Sequence, residues 1–67
     1  MQTETYTNEN GTEILVHFDD LQVELLDRCD HSAFYKCTGY DANGTEYVGT
    51  AEFCCGEFEA ITDIEEL

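Results

Sequence analysis

Sixty-seven residues and 7.6 kDa set the scale of one small domain, for which area scaling gives a folded surface of roughly 4,300 Å² against about 11,000 Å² unfolded, so its core is thin. Sixteen Asp and Glu against two basic residues, Arg28 and Lys36, leave a formal charge of -14, which opposes compaction and makes nucleic acid and anionic membrane poor direct partners. Disorder shares that charge signature, but 42% hydrophobic residues, with four Tyr and four Phe, carry enough apolar surface to fold.

Elements follow from period-two patterning, which sends alternate side chains to opposite faces of a sheet. Gln2 to Thr7 reads as a first strand. Asn8-Glu9-Asn10-Gly11 is a turn signal, its Asn-Gly suited to the positive φ angles of a type I′ hairpin. Thr12 to Phe18 follows, with Ile14, Val16 and Phe18 on one face and Glu13, Leu15 and His17 on the other. Leu21 to Leu26 alternates Leu21, Val23 and Leu25 against Gln22 and Glu24 and is read as strand, although Asp20 could cap a short helix carrying Leu21, Leu25 and Leu26.

Phe34 to Tyr40 and Thr45 to Cys54 flank a second turn signal, Asp41-Ala42-Asn43-Gly44, and in the latter Tyr47, Ala51 and Phe53 oppose Glu46 and Glu52. Cys54-Cys55-Gly56 marks a tight turn. Beyond it Phe58 and Ala60 point one way and Glu57 and Glu59 the other, and the spacing of Ile61, Ile64 and Leu67 fits a short helical turn at the C-terminus. The two Asn-Gly-Thr-Glu copies, 33 residues apart, diverge at once and read as reuse of one turn rather than as a repeat. No Pro, linker or like-charge block divides residues 1–67. The expected fold is therefore all-β: one acidic domain, a small antiparallel meander of five or six strands rolled into a partial barrel.

No basic and apolar leader pattern follows Met1, and the longest apolar run, Ile14-Leu15-Val16, falls far short of the roughly 20 residues that span a bilayer, so a cytoplasmic protein is expected. In that setting Cys29, Cys37, Cys54 and Cys55 should be thiols unless they bind metal. With His31 as a further ligand they could hold Zn²⁺, which gives a rival reading, a small structural domain stabilised by a Cys/His metal site. No Cys-x-x-Cys knuckle is present, and buried thiols, zinc and disulfides remain open, with free thiols favoured. The preferred reading requires no cofactor.

Asp41 to Glu52 superficially resembles a calcium loop of the EF-hand type, but the sharp-bend position that demands Gly is Glu46 and the flanks read as strands, so a hairpin turn is favoured. His17 with Asp19, and His31 beside Asp30 and Ser32, are sparse candidates for acid–base or nucleophilic chemistry, without an accompanying nucleophile elbow or phosphate-binding Gly loop. An enzyme is not expected.

What remains is the charge. Glu46 and Glu52 on one strand and Glu57 and Glu59 on the next should project from the face opposite the core and form a carboxylate patch. Same-face residues lie about 6.6 Å apart along a strand, close to twice the phosphate spacing of about 3.4 Å along one DNA strand. The expected function is a non-enzymatic protein-interaction module whose acidic face binds a basic protein, with mimicry of nucleic acid toward a nucleic-acid-binding protein as its specific form.

Overall fold

The structure, a computed structural model, describes residues 2–67. Strands β1 (Gln2–Thr7), β2 (Glu13–Cys29), β3 (Ser32–Tyr40), β4 (Glu46–Cys54) and β5 (Glu57–Glu66) form one antiparallel sheet in the order β1-β2-β3-β4-β5. Each strand pairs with its sequence neighbours, so the chain is a meander whose open edges include β1 and β5. No helix occurs among the described residues, and none is therefore long and apolar enough to cross a membrane.

The expected count of five or six strands resolves to five because Thr12–Phe18 and Leu21–Leu26 belong to one long strand, β2. Asp19-Asp20 reads as a break, yet the chain passes through it by slipping register: Phe18 opposes Gly39 and Asp20 opposes Thr38, leaving Asp19 unpaired. Asp20 does make a cap-like bond, its Oδ1 accepting from the Gln22 amide at 3.1 Å. The strand continues regardless, and no helix follows.

Both Asn-Gly hairpins form, but not as type I′ turns. Asn10 and Asn43 keep negative φ, and only Gly11 (φ 80°) and Gly44 (φ 83°) are left-handed. The amides of Gly11 and Gly44 donate to the carbonyls of Asn8 and Asp41, at 2.9 and 3.0 Å. This is the three-residue hairpin in which a type I turn is followed by a glycine bulge. The side chain at the first position decides it: Asn8 Oδ1 accepts from the Asn10 and Thr12 amides, and Asp41 Oδ1 accepts from those of Asn43 and Thr45. A type I′ pair of positive φ angles appears instead at Cys55 (φ 55°) and Gly56 (φ 84°), between β4 and β5.

One face is buried. Val16, Phe18, Cys37, Tyr47, Ala51 and Ile61 form the core, with Tyr6, Ile14, Leu21, Phe53, Phe58 and Ile64 packed around it. Tyr6 and Tyr47 meet edge to face at 5.5 Å between centroids although β2 and β3 lie between their strands. In a flat sheet those strands would be about 14 Å apart, so the sheet is curled with the core on its concave side. Gly39 permits part of that curl: a Cβ there would stand 2.2 Å from the His17 carbonyl oxygen. The radius of gyration, 12.0 Å, exceeds the roughly 10.9 Å of a compact chain of this length. The molecule is elongated, 37 × 20 × 17 Å.

The C-terminal helical turn is not formed, because β5 runs on to Glu66. Ile61 opposes Ala51 and Glu65 opposes Val48, which places one extra residue on β5. Asp63 takes a left-handed φ of 53°. That bulge returns Ile64 to the concave face, beside Gly49 with Ile61, and so imitates the three-residue spacing of a helix. A second bulge at Glu59 separates Phe58, which opposes Phe53, from Ala60, which opposes Glu52. Ala60 therefore lies on the convex face and not beside Phe58 as alternation implied.

β1 pairs only with Glu13–Phe18 of β2. From Asp19 to Cys29 that strand has β3 on one side and, among the described residues, no strand on the other. Its side chains are correspondingly open, with Val23 44%, Leu25 47% and Leu26 52% exposed.

Candidate acidic interaction face

Strand register fixes which carboxylates share the convex face. Glu46 opposes Tyr40, Glu52 opposes Phe34, and Glu57 opposes Cys54, so three of the four expected residues stand on one surface. Glu59 lies in the bulge, without a partner on β4, and is exposed. The intended lattice is interrupted. Val48 and Thr50 occupy the convex positions between Glu46 and Glu52, which are therefore about 20 Å apart along β4. Glu57 is the diagonal neighbour of Glu52 across the ladder, at about 7–8 Å.

The face also holds acids that the sequence reading left out. Asp20, Glu24 and Asp27 of β2 oppose Thr38, Lys36 and Phe34, and Glu65 of β5 opposes Val48. The convex surface is thus a strip of Phe34, Val48 and threonines bordered by carboxylates on both sides. Lys36 stands between Glu24 and Thr50. The even-numbered spacing of Asp20 and Glu24 signalled their common face, but the supposed strand break hid it. Leu26, Lys36, Val48, Thr50 and Glu65 line a shallow groove of about 290 Å³ on this side.

The cysteines do not converge. Cys37 is fully buried in the core, where burial pushes its thiol up to about 11, helped by the charge of Asp20 and opposed by a backbone bond from Gly49. Cys29, Cys54 and Cys55 lie at the far end of the sheet, where the β2–β3 and β4–β5 turns are tied by a 2.8 Å bond from the Cys55 amide to the His31 carbonyl. Cys54 and Cys55 place their sulfurs 4.0 Å apart. The Cys54 thiol is raised by its neighbour's hydrogen bond and charge, then by burial and Glu59, while Ser32 acts the other way. All four are free thiols, and no group of three or more metal-ligating side chains occurs among the described residues.

His17 is held by Thr3, with Oγ1 3.2 Å from Nδ1, and faces Tyr40. Asp19 is displaced from it by the register slip. Arg28, Asp30, His31 and Ser32 border an open depression of about 230 Å³ backed by Tyr35 and Phe53.

Both oxygens of the Asp41 carboxylate are engaged within the β3–β4 hairpin. Oδ1 takes the two turn amides, and the buried Tyr47 hydroxyl donates to Oδ2 at 2.8 Å. Burial alone would raise this carboxyl, but the Tyr47 bond and the turn amides outweigh it and hold it below its usual value. The same contact, with burial first, pushes the Tyr47 hydroxyl up to about 12.

No protein-family model matches the chain, and no curated protein or solved structure does either. The placement of its charges is therefore the main guide to function. Fourteen net negative charges on a surface of 4474 Å² give a potential that attracts cationic partners from any approach, and the convex strip adds apolar and hydroxyl groups within that field.

Proposed function

We propose that the protein is a non-enzymatic interaction module whose convex acidic face binds a basic protein. The observation that carries this reading is the shared orientation of Glu46 and Glu52 on β4 and Glu57 on β5 with Asp20, Glu24 and Asp27 on β2. Curling of the open sheet, taken as a partial barrel, makes that face convex and suits it to a concave basic groove. Carboxylates around Phe34 and Val48 would steer the encounter, while the apolar strip contributes contact after docking.

Nucleic-acid mimicry is the specific form to test. Acidic borders on both sides of a narrow strip resemble two charged rails more than one regular phosphate row, which points to a groove-binding partner. A cytoplasmic location, where the thiols stay reduced, belongs to the same reading.

The test is capture from lysate at low and high salt by the immobilised protein. Cationic nucleic-acid-binding proteins should be retained at low salt and released at high salt, and added duplex DNA should compete for them. Glu52→Lys with Glu57→Lys should lower retention about tenfold, the scale of one to two lost charge contacts, while circular dichroism stays unchanged. Retention that is indifferent to both salt and charge reversal would overturn the reading.

A further inference from the structure

The half-strand of β2 from Asp19 to Cys29 is an edge that the fold leaves open. Among the described residues, β1 lies beside β2 only as far as Phe18, and none of them pairs with β2 on that side beyond it. On the concave side of this stretch Leu21 reaches the core, and Leu25 opposes Tyr35 while remaining 47% exposed. Beyond Tyr35 lies Phe53, stacked edge to face on it at 5.5 Å and only partly buried. On the convex side the same half-strand presents Asp20, Glu24 and Asp27. Open backbone groups, apolar residues facing one way and carboxylates facing the other define a template with two distinct sides.

We infer that this edge accepts an extended basic segment of a partner protein as an added strand, in line with β1. The segment alternates apolar residues, which cover Leu21, Leu25 and Tyr35, with Lys or Arg, which meet Asp20, Glu24 and Asp27. Residues directly opposed on paired strands share a face, so this alternation follows from the register. A second copy of the chain is the wrong occupant. It would bring its own carboxylates against those of the first, which like-charge repulsion opposes. The inference rests on the proposed preference for a basic partner but adds a separate docking mode, backbone pairing at β2.

A fluorescent octapeptide of alternating Lys and Val tests it, read by anisotropy and by amide shifts in ¹⁵N-labelled protein. Three outcomes support the inference: shifts concentrated in residues 19–29; binding about tenfold tighter than a block peptide of identical composition; and a comparable loss when alternate backbone nitrogens of the peptide are methylated. Glu24→Lys with Asp27→Lys should weaken binding by a similar factor. Val23→Pro, which deletes one backbone amide of this half-strand, should weaken it with the net charge and the circular dichroism spectrum unchanged.

Equal affinity for alternating and block peptides, or indifference to methylation, would overturn the inference. Shifts centred on Glu46, Glu52 and Glu57 would overturn strand addition while leaving the acidic-face reading standing. Absence of binding at millimolar peptide, or concentration-dependent dimers paired through β2, would also overturn it.

Discussion

Asp41 and Asn8 perform the same backbone task with different side chains, and the difference isolates what a charge does here. Each accepts two turn amides through Oδ1, but only Asp41 also receives a buried hydroxyl, that of Tyr47. Tyr47→Phe leaves a carboxylate oxygen without its donor. A Tm lower by about 5–10 °C at pH 7 is expected for the loss of one such partner in a chain of this size. Asp41→Asn should cost less, since the amide preserves the turn as it does at Asn8 and the Tyr47 hydroxyl can reverse its role and accept.

The pH dependence has a definite sign. Asp41 is held below its usual 3.8, so its contribution is full above that value and disappears as acid titrates it through the lower folded value. Tyr47 is raised from 10 to about 12, so its contribution is full below 10 and fades as pH climbs toward 12. Thermal melts of the wild type and Tyr47→Phe across pH 2–7 should therefore converge at the acid end. A gap that does not narrow at all as the pH falls would mean that the hydroxyl acts through packing.

At the scale of elements, strands were readable wherever alternation was unbroken. Val16 and Phe18 against the exposed Leu15, and Tyr47 and Ala51 against Glu46, fall as period-two patterning requires. The hidden parts are the bulges. A bulge inserts one residue and reverses the parity after it, so Ile61 and Ile64 resemble a helix, Ala60 changes face, and β2 resembles two segments. Three of the four expected interaction residues share the convex face because they precede the β5 bulges, whereas Glu59 lies inside one. No pattern in local composition marks Asp63 as left-handed, since the tertiary packing of Ile64 on Gly49 selects it.

Deletion of Asp63 tests this account directly. Without the extra residue, Ile64 follows Thr62 directly and regular alternation keeps it on the concave face opposite Gly49, so urea unfolding should change by less than about 1 kcal/mol. Asp63→Gly should instead gain about 0.5 kcal/mol, because glycine adopts that φ freely and one like charge disappears. A deletion variant destabilised by about 2 kcal/mol or more would show instead that Ile64 loses its place beside Gly49 and that the bulge is needed to hold it there.

For the whole molecule, one curled sheet must hold together under a charge of -14 with only Arg28 and Lys36 as internal counter-charges. At 10 mM salt the screening length is about 30 Å, close to the 37 Å long axis, so nearly every carboxylate repels every other. At 100 mM it falls to about 10 Å, and only neighbours on the same or adjacent strands remain coupled. The unfolded chain spreads the same charges over a larger volume and is relieved less by added salt, so salt should favour folding. Raising NaCl from 10 to 100 mM should increase Tm by about 5 °C, equivalent to roughly 1 kcal/mol in a domain of this size. Scanning calorimetry with NaCl and with a non-binding salt at matched ionic strength provides the check. The same screening should weaken attachment of a basic partner, so stability and binding ought to move in opposite directions with salt. A Tm that falls as salt rises would place the balance with attractive pairs at Arg28 and Lys36 and contradict repulsion as the dominant long-range force in this fold.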